Sequence, residues 1–299
     1  VYESPEITGE LHSEAARAMG LNEGTPVVAG SGDVMTGAVG NGITEAGLIN
    51  ANLGTGGVMC AHSDNAAIDN KGRLATMCHA VPGAYVVFGC MLSAAGSLQW
   101  YADRLGEKTV GKKGDLFGKL IKLAEAAPVG SGGTIFLPYL TGERCPHNDP
   151  DARGGWVGVT RRTEEAHLVR SLLEGVTFNM NAMLQIMQSD MDIPVKQIRG
   201  TGGGTKSQLW RQMQADIYKT PLTMMSSEEG AAYGAALLAG VGNGTFKSVE
   251  AACKSKIKTA STTKPKAKDA DLYAKYYDVY SKLYDDLKDR YTELAALDG

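Results

Sequence analysis

Asp33 is the first residue of this sequence whose type and position suggest chemistry. It follows a short apolar run at residues 27–29 that predicts a buried strand, with Gly30 and Gly32 between the run and the carboxylate. In open α/β sheets, ligands bind beyond the carboxyl ends of the strands, so a carboxylate placed there suits proton transfer. An aspartate after glycine also caps helices or forms turns, and Asp33 alone does not decide between these roles.

A glycine-rich tetrapeptide is the next candidate. Strand-like runs at residues 46–53 and 58–62 flank Gly54, Thr55, Gly56 and Gly57, which predicts a β-hairpin with this segment at its tip. The backbone amides of such a turn and the Thr55 hydroxyl suit the oxygens of a phosphate group. A simple tight turn is the alternative interpretation.

A second glycine-rich turn follows a strand predicted at residues 195–200. It contains Gly202, Gly203 and Gly204, and a helix that carries Trp210 comes after it. Strand, glycine-rich turn and helix is an arrangement that lets a nucleotide approach both the backbone and the amino end of a helix. The spacing matches neither the G-x-x-x-x-G-K-[ST] motif nor the G-x-G-x-x-G motif.

The elements that must position these residues alternate between strands and helices, which is typical of an α/β protein. We predict helices over residues 8–19, over 163–189 with Thr163 as N-cap, and over 231–240, where small residues allow a very close neighbour. A terminal helix over residues 269–294 has an apolar stripe with which it docks. The loop at residues 139–155 is rich in turn formers and charge, and favours surface and domain-boundary hydrogen bonding over a metal site.

Composition excludes several classes of function. The 299 residues carry a formal net charge of −3, which gives no general attraction to nucleic acid or to an anionic membrane. Glycine, proline and polar residues interrupt the long uncharged run at residues 74–102, so we predict no membrane span there. The 5 cysteines contain no C-x-x-C pair and suit a reducing, cytoplasmic setting. Small molecules are the expected partners.

Taken in order, these motifs resemble the FGGY family of carbohydrate kinases. The resemblance covers nearly the entire chain and rests on four segments: Gly30-Ser31-Gly32-Asp33, Leu53-Gly54-Thr55-Gly56-Gly57-Val58, residues 136–148, and Gly202-Gly203-Gly204-Thr205-Lys206-Ser207 with Trp210. A slightly imperfect version of the family's second signature follows Gly154. The sequence departs from the family in having Ser31 within a Gly-Gly-Gly-Asp motif and Val34 where Asn often follows the aspartate, which affects a sugar hydroxyl contact.

The resemblance implies a fold and a division of the chain. It implies an actin-like, ribonuclease H-like ATPase domain of the α/β class, with a mixed sheet flanked by helices. Residues 25–299 are expected to form the carboxy-terminal ATP-binding domain with its docking helix. Residues 1–24 are expected to be the tail of an amino-terminal sugar-binding domain that lies outside this sequence.

The resemblance also implies roles for individual residues. Asp33 is the expected catalytic base, and Gly54, Thr55, Gly56 and Gly57 are expected to hold the phosphates of ATP. The adenosine is expected near Gly202, Gly203, Gly204, Ser207, Trp210 and Glu228. Mg²⁺ is expected to bind phosphate oxygens and water, with no protein ligands.

The implied function is the ATP-dependent phosphorylation of a ketopentose, with D-xylulose as the first candidate. Ribulose, gluconate and glycerol are the alternative acceptors. Two other classes of protein compete with a kinase. One is a nucleotide-binding module that is inactive on its own, and the other is an actin-like assembly or regulatory protein. The sequence leaves open whether the protein forms a homodimer.

Overall fold

The computed structural model describes residues 1–111, 114–226 and 230–298. Its strands are β1 (Ile7–Glu10), β2 (Pro26–Val28), β3 (Leu48–Leu53), β4 (Gly57–Ser63), β5 (Ala75–Cys78), β6 (Tyr85–Met91), β7 (Ile135–Leu137), β8 (Gly155–Val157), β9 (Gln197–Thr201), β10 (Leu222–Met225) and β11 (Thr259–Thr263). Its α-helices are α1 (Ser13–Met19), α2 (Asp33–Gly40), α3 (Ala95–Tyr101), α4 (Glu107–Val110), α5 (Leu116–Ala124), α6 (Glu165–Ser189), α7 (Gln208–Tyr218), α8 (Gly230–Gly242), α9 (Val249–Lys256) and α10 (Ala267–Asp298).

Within the described residues, the main sheet has seven strands in the order β11-β10-β9-β3-β4-β6-β5. Strand β9 lies parallel to both β3 and β10, whereas the other neighbours are antiparallel, so the sheet is mixed as expected. Asn52 of β3 is level with Thr201 of β9. Because parallel strands end at the same edge of a sheet, the two glycine-rich turns that follow β3 and β9 emerge side by side.

Helices cover both faces of this sheet. On one face, β3 and β4 pack against α6, whose 25 residues are largely buried, and against α3, α5 and α7. Helix α10 lies over α6 and α7 through a row of tyrosines, so the predicted docking helix is confirmed. On the other face, α2 covers β4 and β6, and α8 and α9 lie outside it. No helix in these described segments is both long and apolar enough to cross a membrane.

The close approach predicted for the small-residue helix is confirmed at the crossing of α2 and α8. A methyl group added at Gly234 of α8 would overlap the carbonyl oxygen of Thr36 in α2, and one added at Gly40 would overlap the carbonyl oxygen of Gly230. The two backbones therefore touch without intervening side chains. Only glycine permits this distance at both positions.

Three local predictions are wrong. The helix predicted from residue 8 begins at Ser13, because Ile7–Glu10 forms a strand that pairs with β2. The strand predicted as buried at residues 27–29 lies at the surface, with Val27 40% exposed, because it pairs with β1 in a two-stranded sheet apart from the main sheet and α8 meets it at Val28. Helix α6 is capped by Glu164 instead of Thr163, in a capping box closed by the side chain of His167.

Candidate active site

The β3–β4 hairpin places Gly54, Thr55 and Gly56 at its tip, as predicted. The amides at the start of α3 use the carbonyl groups of this tip: those of Ala94 and Gly96 donate to Thr55 at 2.9 Å, and that of Ala95 donates to Gly54 at 2.9 Å. Among the described residues, the amides of Thr55 and Gly56 and the exposed Thr55 hydroxyl have no protein partner. These donors are available to an anion.

The second glycine-rich turn packs directly against the end of β3. Gly202 has a φ of 85°, and a methyl group there would lie 2.6 Å from the carbonyl oxygen of Leu53. A methyl group on Gly204 would lie 2.5 Å from the Leu53 side chain. Glycine is therefore required for both the conformation and the contact at Gly202, and the contact alone requires it at Gly204.

Helix α7 begins immediately after this turn. The Ser207 hydroxyl accepts the amide of Trp210 at 3.2 Å and so caps the helix. The indole of Trp210 is 1% exposed and donates to the Thr177 hydroxyl of α6 at 3.0 Å. The amino end of α7 is thereby fixed against the core beside the glycine turn.

A cavity of about 1010 Å³ opens where the hairpin tip and the glycine turn meet. Of the residues predicted to bind nucleotide, the cavity wall includes Gly54, Thr55, Gly203, Gly204, Ser207 and Trp210. Gly56, Gly57 and Gly202 do not line the cavity. Methyl groups on them would lie 2.9 Å from the Met91 carbonyl oxygen, 2.6 Å from the Met180 sulfur and 2.6 Å from the Leu53 carbonyl oxygen, so they pack against the protein. Glu228 lies outside the described residues.

The remaining wall of the cavity was missed by sequence reasoning. Helices α3 and α5 and the turns beside them contribute Gln99, Trp100, Asp103 and Phe117, and Lys206 lies at the edge of the glycine turn. These residues form no local motif, because helices far apart in sequence bring them together. Their mixture of aromatic and polar groups is typical of small-molecule sites.

Asp33 is the first residue of α2, and its carboxylate is exposed. Oδ1 accepts the amide of Val34 at 2.8 Å, while Oδ2 has no protein partner among the described residues. Asp33 does not line this cavity. The next residue, Val34, packs against the apolar cluster under α2 that also holds Cys90 of β6 and Val58 of β4. Cys90 and Val58 are paired one position from Gly57, where the hairpin tip begins, so α2 places Asp33 on the face of the sheet that this cluster covers.

Glu143 is a buried carboxyl that sequence reasoning placed in a surface loop, and that prediction is wrong. It is 2% exposed; Oε1 accepts the amides of Leu92 at 3.1 Å and Arg144 at 2.7 Å, and Oε2 accepts the Asn179 side chain at 2.9 Å. Burial raises the pKa of Glu143 to about 8, against the opposing effect of these hydrogen bonds. The loop is tied into the core because its polar groups find partners there.

Metal binding by the protein alone has no support among the described residues, which contain no cluster of three or more His, Cys, Asp or Glu side chains suited to an ion. The free amides at the hairpin tip are donors, and donors suit phosphate oxygens. The residues present therefore fit a nucleotide whose own phosphates carry the Mg²⁺.

The mixed sheet with glycine turns after β3 and β9 defines a domain of the actin-like ATPase fold, as in its structural neighbours among the sugar kinases. The C-terminal domain of the FGGY family of carbohydrate kinases matches residues 49–242. The chain belongs to the FGGY family of carbohydrate kinases.

Individual relatives place the chain in the carboxy-terminal part of such proteins. It is 34% identical to the xylulose kinase of Bacillus subtilis (strain 168) over 294 residues, which is 98% of this chain and 58% of the relative. It is 32% identical to the gluconokinase of Bacillus licheniformis, over 97% of this chain and 57% of the relative. The crystal structure of the xylulose kinase from Rhodospirillum rubrum superposes with a TM-score of 0.86 at 28% identity, over 98% of this chain and 58% of that one. The chain thus spans somewhat more than half the length of these relatives.

Proposed function

We propose that this chain supplies the ATP-binding half and the catalytic base of a kinase that phosphorylates a ketopentose, D-xylulose before other sugars. The observation that carries the proposal is the cavity between the two glycine turns, where the amides of Thr55 and Gly56 have no protein acceptor among the described residues. The family supports phosphoryl transfer to a carbohydrate.

The residues have separate tasks in this proposal. The amides of the hairpin tip and the Thr55 hydroxyl bind the terminal phosphates, while Gly203, Gly204 and Trp210 border the nucleoside. Mg²⁺ on the phosphates supplies charge neutralisation when bound. A sugar hydroxyl oxygen forms a bond to the γ-phosphorus, the bond from that phosphorus to the β–γ bridging oxygen breaks, and ADP leaves. Oδ2 of Asp33 takes the hydroxyl proton, since that oxygen has no protein partner among the described residues.

The acceptor is the less constrained part of the proposal. D-xylulose is preferred because relatives named xylulose kinase align over 98% and 93% of this chain at 34% and 32% identity. The relatives named gluconokinase are nearly as similar, which makes gluconate the alternative to test beside it. We place the other half of the sugar site in a domain that resembles the remaining part of these relatives.

The test measures ATP turnover with D-xylulose, D-ribulose, gluconate and glycerol by the full-length protein, in which this chain is joined to the domain proposed above, together with calorimetry of Mg-ATP binding. Asp33→Asn is the informative variant, since the amide keeps an oxygen for the Val34 amide but is not a base. We expect Mg-ATP binding to be unchanged and turnover to fall by roughly 10²–10⁴-fold. Unchanged turnover would exclude Asp33 as the base. Mg-ATP binding without turnover of any of the four acceptors would favour a nucleotide-binding module.

A further inference from the structure

The turn that contains Arg144 is held unusually firmly for a loop. Besides the bonds of Glu143, the amide of Cys145 donates to the carbonyl of Cys90 at 3.2 Å, and the Asn179 side chain donates to the carbonyl of Cys145 at 3.1 Å. The amide of Asn148 donates to the carbonyl of Arg144 at 2.7 Å. The backbone at Arg144 is therefore fixed to strand β6 and to helix α6.

The side chain of Arg144 projects from this fixed backbone into solvent. Its guanidinium forms no hydrogen bond or ion pair with the described residues, although Glu143 is its chain neighbour. The Glu143 carboxylate instead accepts the backbone amide of Arg144. Arg144 borders a cavity of about 220 Å³ together with Cys90, Cys145 and Asn148. A rigid backbone with an unpaired, forked cation suits recognition of an anion.

The position of Cys90 relates this cation to the catalytic carboxylate. Cys90 belongs to the apolar cluster under α2, which includes Val34, the residue after Asp33. Burial raises the pKa of the Cys90 thiol, as does the neighbouring Cys145, while Arg144 lowers it and Asp33 raises it. Arg144 lines the same small cavity as Cys90, and Val34, next to Asp33, packs on the same cluster as Cys90. The hairpin tip adjoins this strand, because Gly57 is level with Met91 and a methyl group on Gly56 would lie 2.9 Å from the Met91 carbonyl oxygen.

We propose that Arg144 is a catalytic residue whose guanidinium contacts the phosphoryl group as it passes from ATP to the sugar. The inference rests on the proposed function. During transfer, negative charge spreads over the three equatorial oxygens of the phosphoryl group, and Asp33 beside it adds further negative charge. The hairpin amides approach this group from the side of ATP. Arg144 approaches from the side of α2 and β6, where it balances the charge of the carboxylate.

The test uses this chain with Mg-ADP, alone and with fluoroaluminate, which mimics the phosphoryl group in transfer. Calorimetry compares the wild type with Arg144→Gln, Arg144→Lys and the matched control Arg161→Gln, which removes an exposed charge that lines neither of the two cavities. We expect fluoroaluminate to tighten Mg-ADP binding in the wild type and in the control. Arg144→Gln should weaken the fluoroaluminate complex by about tenfold or more, with Mg-ADP alone unchanged. Arg144→Lys should lie between the two, because it keeps the charge and loses the fork.

The outcomes separate this inference from the proposed function. Failure of the wild type to bind Mg-ADP would overturn both. Mg-ADP binding that fluoroaluminate does not tighten, or tightens equally in Arg144→Gln, would overturn the role of Arg144 and leave the nucleotide site standing. Arg144→Gln could also weaken Mg-ADP binding equally with and without fluoroaluminate. That result would overturn the role of Arg144 in phosphoryl transfer, since the guanidinium would then act on the nucleotide and not on the transferred group. Thermal unfolding of each variant confirms that it is folded.

Discussion

Substituting alanine for Gly234 tests whether the backbone contact between α2 and α8 positions Asp33. The added methyl group would overlap the carbonyl oxygen of Thr36 and lie 2.9 Å from the amide nitrogen of Gly40. Ordinary contacts between non-bonded heavy atoms lie at about 3.5–4.0 Å, so the added methyl group and the Thr36 carbonyl must move apart by roughly 2 Å. Both obstructing groups are backbone atoms, which no change of rotamer can remove.

The expected loss of stability is the difference between two effects. Overpacking costs about 1–3 kcal/mol. Alanine within a helix is favoured over glycine by roughly 0.5–1 kcal/mol. The difference of these ranges is about 0–2.5 kcal/mol, and we expect the decrease in the free energy of unfolding to lie toward the upper end, because the overlap is with rigid backbone atoms. Gly37→Ala is the matched control, because Gly37 lies in α2 with no atom within 4 Å of an added methyl group. It should stabilise by about 0.5–1 kcal/mol.

Activity supplies the second readout. Asp33 lies one helical turn before Thr36, so a displacement of α2 moves the carboxylate directly. A misplacement of about 1 Å can lower a rate by about 10²-fold, and we expect turnover by Gly234→Ala to fall by that order while Gly37→Ala stays near the wild type. Denaturant titration and the sugar kinase assay measure the two effects. Equal midpoints and equal turnover in both variants would refute the close contact as a constraint on the site.

Two further predictions concern buried charges. Between about pH 4.5 and 8 the native state binds the Glu143 proton and the unfolded state releases it, so this group lowers the free energy of unfolding as pH rises, by at most about 1.4 kcal/mol per pH unit. Urea titrations at several pH values should show that slope, and Glu143→Gln should remove it; an identical slope in the variant would contradict the assignment. Glu174, 2% exposed, accepts the Arg170 guanidinium at 2.8 Å and the Tyr273 hydroxyl of α10 at 2.8 Å. Glu174→Ala should lower the free energy of unfolding by about 3–5 kcal/mol, whereas the pair Glu174→Leu and Arg170→Met should recover most of it, and equal losses in both would refute an ion-pair origin.

What the sequence could predict of the site was local. The hairpin tip and the glycine turn were predictable because runs of glycine mark both in the sequence. Gly202 needs glycine for its φ of 85°, whereas Gly56 and Gly57 need it for close contacts with Met91 and Met180. The sequence did not show that the two turns lie side by side. They do so because β3 and β9 are parallel neighbours, although these strands are more than 140 residues apart in the chain. Gln99, Trp100 and Phe117 had no local signal, since their role comes from helix packing around the cavity.

The composition of the loop at residues 139–155 predicts more exposure than its residues have. Turn formers and charges at residues 139–155 favoured a surface loop, yet Tyr139 and Glu143 are almost completely buried. Polar residues remain inside a protein when their hydrogen bonds are satisfied, and Glu143 has three such bonds. One donor is Arg144 of the loop itself, and the other two are Leu92, just after β6, and Asn179 of α6. Sequence patterns connect neither Leu92 nor Asn179 to the loop.

Of the two interpretations of Asp33 that the sequence left open, the capping role is wrong. Gly32 is the N-cap of α2, no side chain caps the helix, and Asp33 is the first residue of its first turn. A negative charge there is favoured by the helix dipole. Oδ1 accepts the amide of the next residue, Val34, which leaves Oδ2 without a protein partner among the described residues. The first turn of α2 therefore holds the carboxylate in a defined direction with one oxygen available, which is what the proposed role as a base requires.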